Sequence, residues 1–179
     1  MEGPADHDLM ARVARGDRQA FRLLSRRHAR AASALARRIV GNEAIAEELV
    51  QEAFLRVWVN APRWQPQAAF LTWLYRIVIN LCLNETRRPP TLPLGAAGDP
   101  PDPAPPADAD LATRERDRLV AAAVAALPPR QRAAIVLTYH QGLSNAEAAA
   151  ALDTSVSGIE TLLVRAKRTL RAALGAHSS

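Results

Sequence analysis

Residues 89–110, PPTLPLGAAGDPPDPAPPADAD, divide the chain, holding eight of its 13 prolines and four aspartates but no basic residue. A stretch of this composition has too little apolar surface to offset the entropy of folding, and its prolines hold it extended. It reads as a tether of up to about 70 Å as polyproline II, or about 25 Å as coil. The sequence therefore predicts two small folded units, residues 9–88 and 111–174, with flexible ends at 1–8 and 175–179.

Both units are expected to be helical, giving an all-α chain. Ala, Leu, Arg and Val dominate, aromatic residues are only 4%, and no run alternates apolar and polar residues as a strand would. Asp8 is the expected cap of the first helix. Two helices broken near Gly16-Asp17 follow, burying Leu9, Val13, Phe21, Leu24, Leu35 and Ile39. Arg22, Arg26, Arg27, Arg30, Arg37 and Arg38 lie outside that stripe, suited equally to phosphates and to solvent. Gly41-Asn42 ends one helix and caps the next.

The segment Asn42 to Trp64 carries Ala46, Leu49, Val50, Ala53, Phe54, Val57 and Trp58 at three- and four-residue steps, one buried stripe of a helix. Glu47, Glu48, Gln51, Glu52 and Arg56 fall outside it, an acidic and amide-bearing surface in a protein of net charge +5. Such a face can dock a basic partner. Pro62 and Pro66 then enclose a loop, and Phe70 to Arg88 resumes as a helix burying Phe70, Leu74, Ile77, Val78 and Leu81. Thr72, Arg76, Asn80 and Asn84 recur every four residues on its other face, and Arg87 and Arg88 extend the row. Amides and guanidinium groups so arranged suit base edges or phosphates. Trp58 reads as core, whereas Trp64, Trp73 and Tyr75 are open between core and a surface on which unpaired bases stack.

Beyond the tether, LATRERDRLVAAAVAAL predicts a helix ended by Pro128-Pro129, and a second runs from Arg130 to about His140 before Gly142. Ser144 and Glu147 stand at capping-box spacing, AspThrSer turns, and a last helix spans about Val156 to Leu174. Short helix, tight turn and long basic helix make a helix-turn-helix. On the last helix Val156, Ile159, Leu163, Ala166 and Leu170 face inward. Ser157, Glu160, Thr161, Val164, Arg165, Lys167, Arg168 and Arg171 face outward, where a major groove would receive them. Arg165 is suited to guanine, Glu160 to the cytosine amino group, and Lys167, Arg168 and Arg171 to phosphates.

Charge agrees with a polyanion partner. Residues 9–88 carry 14 basic against 6 acidic side chains, net +8, and residues 111–179 carry 9 against 5, net +4. Cys82, the lone cysteine, is an expected core thiol that suits a reducing cytoplasm. No leader-like or membrane-length apolar run appears, so a cytoplasmic protein without membrane insertion is expected. Scattered histidines, no Gly-rich phosphate loop and no metal-ligand spacing point away from an enzyme, a metal site or a cofactor.

Two blocks in this order resemble the extracytoplasmic-function (ECF) group of bacterial RNA polymerase sigma factors. EELVQEAFLRVW with FLTWLYRIVINLCLNETRR resembles sigma region 2, and ALPPRQRAAIVLTYHQGLSNAEAAAAL with the final helix resembles region 4. The resemblance implies that Glu48, Leu49, Gln51, Glu52 and Arg56 dock on the clamp helices of the polymerase largest subunit. It implies that Trp64, Gln65, Thr72, Trp73, Arg76, Asn80, Asn84, Arg87 and Arg88 serve the −10 element. It further implies that Ser157, Glu160, Thr161, Val164, Arg165, Lys167 and Arg168 serve the −35 element, with region 4 also touching the polymerase flap. An anti-sigma factor is the implied regulator. Glu160 departs from the family, which commonly has a basic residue there, and Thr161-Leu162 stand where a Ser-Arg pair is usual. Two other functions compete. An autonomous helix-turn-helix regulator needs a dimer seam, and no heptad run supplies one; a sigma mimic that only sequesters an anti-sigma factor has no use for the Arg76 and Asn80 row or for Trp64 and Trp73.

Overall fold

The computed structural model describes residues 4–65, 69–88 and 111–175, and the tether, loop positions 66–68 and both chain ends lie outside the described residues. Eight α-helices account for nearly all of what is described: α1 (Asp6–Val13), α2 (Arg18–Val40), α3 (Glu43–Asn60), α4 (Phe70–Arg87), α5 (Leu111–Ala125), α6 (Pro129–Ile135), α7 (Asn145–Leu152) and α8 (Val156–Gly175).

The expected break at Gly16-Asp17 is a capped corner. Asp17 accepts hydrogen bonds from the backbone N–H groups of Gln19 (2.8 Å) and Ala20 (3.0 Å), starting α2, while Arg12 Nε donates to its other oxygen at 2.9 Å. Those bonds, the one from Ala20 foremost, hold its carboxyl below the usual value of 3.8. Asp8 does not cap α1. That helix starts two residues earlier behind Ala5, with no side-chain cap. Asp6 in its first turn instead reaches α2, meeting Arg27 Nη1 at 2.6 Å and His28 Nε2 at 2.8 Å. Gly41 adopts φ 72°, the left-handed conformation that ends α2, and Asn42 caps α3 through the N–H of Ile45.

Helices α1 to α4 bury Leu9, Met10, Leu24, Leu35, Ile39, Ala46, Ala53, Val57, Leu74 and Cys82. Burial pushes the Cys82 thiol up to about 12, so it stays an uncharged core group. In the C-terminal half α6 continues through a π-helical turn, Val136–His140, and Gly142 at φ 70° ends it. Ser144 and Glu147 form the expected capping box. Asp153 at φ 52° closes α7 into the turn before α8. In the first turn of α8, a Cβ at Gly158 would lie 2.5 Å from Thr154 Oγ1, so a larger residue there would displace the Thr154 side chain.

The two predicted units are not apart. Their buried residues form one continuous cluster, and α4 packs against α7 as well as against α2 and α3. Helix α4 is buried on a second side, through Thr72, Tyr75, Ile79 and Leu83, which its predicted stripe omits. Alanines 148, 149 and 151 bring the α7 backbone close. Arg132 ties the halves from another direction, donating to Ile39 O at 2.5 Å, to Leu127 O at 3.0 Å and to Ala125 O. The first of these carbonyls ends α2, where the helix dipole favours a cation.

Candidate nucleic-acid and protein-docking surfaces

Helix α3 turns its core stripe inward and leaves the opposite side uncovered. Glu48, Gln51 and Arg56 are exposed, and Leu49 and Glu52 are half-buried. Arg56 Nε donates to Glu52 Oε1 at 2.8 Å, and Asn60 Nδ2 donates to the Arg56 carbonyl, extending the polar row to the end of the helix. Sequence reading missed the apolar part of this face. Leu55 and Val59 are 59% and 72% exposed. Their signal was present: they stand one turn apart, half a helical circumference from the buried stripe, where a merely soluble helix has no need of them.

A groove of about 770 Å³ runs between the α3–α4 corner and α7. Arg56, Asn60, Arg63, Trp64, Gln65, Thr72, Trp73, Arg76, Ile77 and Asn80 line one wall, and Ala149, Ala150, Asp153 and Thr154 the other. Trp64 and Trp73, both half-buried, stand 6.3 Å apart at 49°; Trp73 also meets Phe70 edge-on and Trp64 meets His7. Their remaining ring surface borders three arginines, an arrangement able to stack unpaired bases while neutralising phosphates.

Helix α7 changes what that wall presents. Thr72, expected to face outward, is only 7% exposed, because the N-terminal part of α4 turns this position toward the second half of the protein. Tyr75, left open between core and surface, is buried, and its hydroxyl donates to Gln141 Oε1 at 2.7 Å. Burial raises its pKa. Arg76 reaches Asp153 Oδ1 at 3.0 Å. Asn80 lines the groove, whereas Asn84, Arg87 and Arg88 are exposed on α4 beyond it, with Arg88 paired to Glu85 at 3.2 Å.

Helix α8 packs through Ile159, Leu163 and Ala166. Val156, expected inward, is 44% exposed at the very start of the helix. Ser157, Glu160, Thr161, Val164, Arg165, Lys167, Arg168 and Arg171 are all exposed, as expected. Ser157 Oγ pairs with Ser155 Oγ at 3.0 Å, Thr161 Oγ1 donates to Ser157 O at 2.9 Å, and the Lys167 ammonium sits 5.2 Å from the Tyr139 ring centroid. Among the described residues no three His, Cys, Asp or Glu side chains gather as a metal site, and no helix is long and apolar enough to cross a membrane.

Comparison with known proteins joins these surfaces. Residues 24–89 match the family model of sigma-70 region 2, and residues 117–170 match that of sigma-70 region 4. The chain is 36% identical over 174 residues to the ECF RNA polymerase sigma factor SigM of Mycobacterium tuberculosis, covering 96% of this chain and 85% of that protein. It is 38% identical over 160 residues to the ECF RNA polymerase sigma factor SigE of Mycolicibacterium smegmatis, covering 87% of this chain but only 62% of the length of that relative. Among solved structures it resembles CnrH, determined in complex with the cytosolic domain of CnrY, with a TM-score of 0.72, 31% identity, and coverage of 97% of this chain and 99% of that one.

Proposed function

Because the chain belongs to the ECF group of RNA polymerase sigma factors, we propose that it binds core polymerase through the outer face of α3 and directs it to promoters. The observation that carries this reading is an asymmetry. The outer face of α3, acidic with Leu55 and Val59 at its end, is open, while the α4 wall of the groove is engaged by α7. A free chain therefore offers its polymerase surface and withholds much of its −10 surface.

Docking on the clamp helices would come first, with Glu48, Gln51 and Glu52 meeting basic groups and Leu55 and Val59 being desolvated. Separation of α7 from α4 would follow, giving up the Arg76–Asp153 pair and the Tyr75–Gln141 bond. Arg76, Asn80, Trp64 and Trp73 would then hold unstacked bases of the −10 element, offsetting an unstacking cost of a few kcal/mol per step. Helix α8 would enter the major groove at the −35 element, and the same half of the chain would touch the polymerase flap. The chain contributes binding energy and no bond chemistry. CnrH was solved with a second protein bound, which supports regulation here by an anti-sigma factor.

The test is gel filtration with core polymerase at low salt, followed by capture of genomic DNA fragments by the assembled enzyme. Wild-type chain should co-elute with core, and Glu52→Arg should weaken retention at least about tenfold with helical content unchanged. A folded, inhibitor-free chain that core does not retain overturns the proposal.

A further inference from the structure

Exposure alone does not separate the residues that read DNA on α8 from those that complete the helix. Hydrogen bonding does. Ser155 Oγ accepts from the Gly158 N–H (3.1 Å) and shares a hydrogen bond with the Ser157 hydroxyl (3.0 Å), fixing the start of the helix. Thr161 spends its hydroxyl on the carbonyl one turn back. Lys167 is held by Tyr139. Glu160 has no such role: among the described residues its carboxylate meets no hydrogen-bond or ion-pair partner. Val156, Ser157, Leu163 and Val164 occupy the positions three and four residues away, so it belongs to no helix-surface ion pair. It also lies beyond the first turn, where an acid gains from the helix dipole.

A lone carboxylate on a helix whose later turns carry Arg165, Lys167, Arg168 and Arg171 is repelled by phosphates. In a major groove it is accommodated against a base-edge donor, and the cytosine N4 amino group is the donor matched to a carboxylate. Val164, 67% exposed, stands one turn further along the same row. Four residues advance about 6 Å along a helix, close to two base-pair steps of about 3.4 Å. An isolated methyl-bearing side chain at that point matches the C5-methyl group of thymine.

We infer that Glu160 sets promoter specificity by accepting from a cytosine amino group, and that Val164 selects a thymine about two base pairs away. This rests on the reading of α8 as the groove-entering helix of a sigma factor. The hydroxyls of Ser157 and Thr161 hold the helix start and do not choose bases.

The test is selection by reconstituted polymerase–sigma enzyme from duplexes with a randomised upstream element, read by sequencing. Wild-type enzyme should enrich cytosine about tenfold in one column. Glu160→Gln should move that column toward adenine, Glu160→Ala should level it and leave the others unchanged, and Val164→Ala should weaken a thymine column about two positions away. Both positions are exposed, and circular dichroism verifies folding of each variant. An unchanged profile in folded Glu160→Ala enzyme overturns this inference alone. A wild-type chain that core polymerase does not retain, or an enzyme that selects no upstream sequence, overturns the sigma reading and this inference with it.

Discussion

Arg132 illustrates how a basic residue in a nucleic-acid-binding chain can serve the fold. Its guanidinium donates to three carbonyls that end two different segments, and burial lowers its pKa. Replacing it with leucine leaves those acceptors unpaired, so Arg132→Leu should cost about 2 to 3 kcal/mol in urea unfolding. Nothing in the sequence separates Arg132 from the surface arginines, because its partners are backbone carbonyls, one of them, Ile39, 93 residues away. The break at Gly16-Asp17 was legible, whereas the capping role of Asp17 at the start of α2 is seen in the structure. The folded pKa of Asp17 lies below the usual 3.8, so its stabilisation is complete above that value and is lost as pH falls through the lowered one. Asp17→Ala should therefore lower thermal stability at pH 7 and show a shallower further loss below pH 4 than wild type.

At the level of elements, periodicity carried the prediction for large apolar residues on one stripe and failed where several neighbours decide burial. On helix α2 the large residues Leu24, Leu35 and Ile39 are buried as expected, whereas Phe21 is half-buried and Ala20, His28, Ala32 and Ala36, buried in a helix that packs against α1, α3 and α4, were not read. Helix α4 is covered by the bundle on one side and by α7 on another, so the four-residue row from Thr72 runs from a buried position to exposed ones. A helix contacting two neighbours has an apolar arc wider than a single stripe, and Tyr75 and Ile79 lie within it. The same reasoning exposes Leu55 and Val59 on α3, which no described element covers. Val59→Asp should leave the melting temperature within about a degree, since a surface position contributes within about 0.5 kcal/mol. It should nevertheless reduce retention by core polymerase about tenfold in a gel-filtration titration, a separation of binding from stability that a purely structural role for Val59 would not produce.

For the whole molecule, the sequence reading divided the chain at residues 89–110, which lie outside the described residues, and did not read that the two halves pack on each other. Contact between the halves depends on small residues and long-range pairs: alanines on α7, Tyr75 to Gln141, and Arg76 to Asp153. The ion pair is half exposed, so it is worth no more than about 1 kcal/mol. The Tyr75 bond adds about the same. These magnitudes make the closed arrangement readily reversible by a partner whose docking releases a few kcal/mol. They also define a measurement. Asp153→Asn removes the carboxylate while keeping a residue type that tolerates the left-handed turn at this position. The isolated variant should bind a fluorescein-labelled single-stranded oligonucleotide about two- to fivefold more tightly by anisotropy, because Arg76 is freed and α7 is held less firmly. Adding Gln141→Ala should raise the gain to about tenfold, and added salt should shrink the difference between wild type and Asp153→Asn as the ion pair is screened. Equal affinity for wild type and both variants would mean that docking of α7 leaves the groove accessible, and that polymerase does not need to open the molecule to expose it.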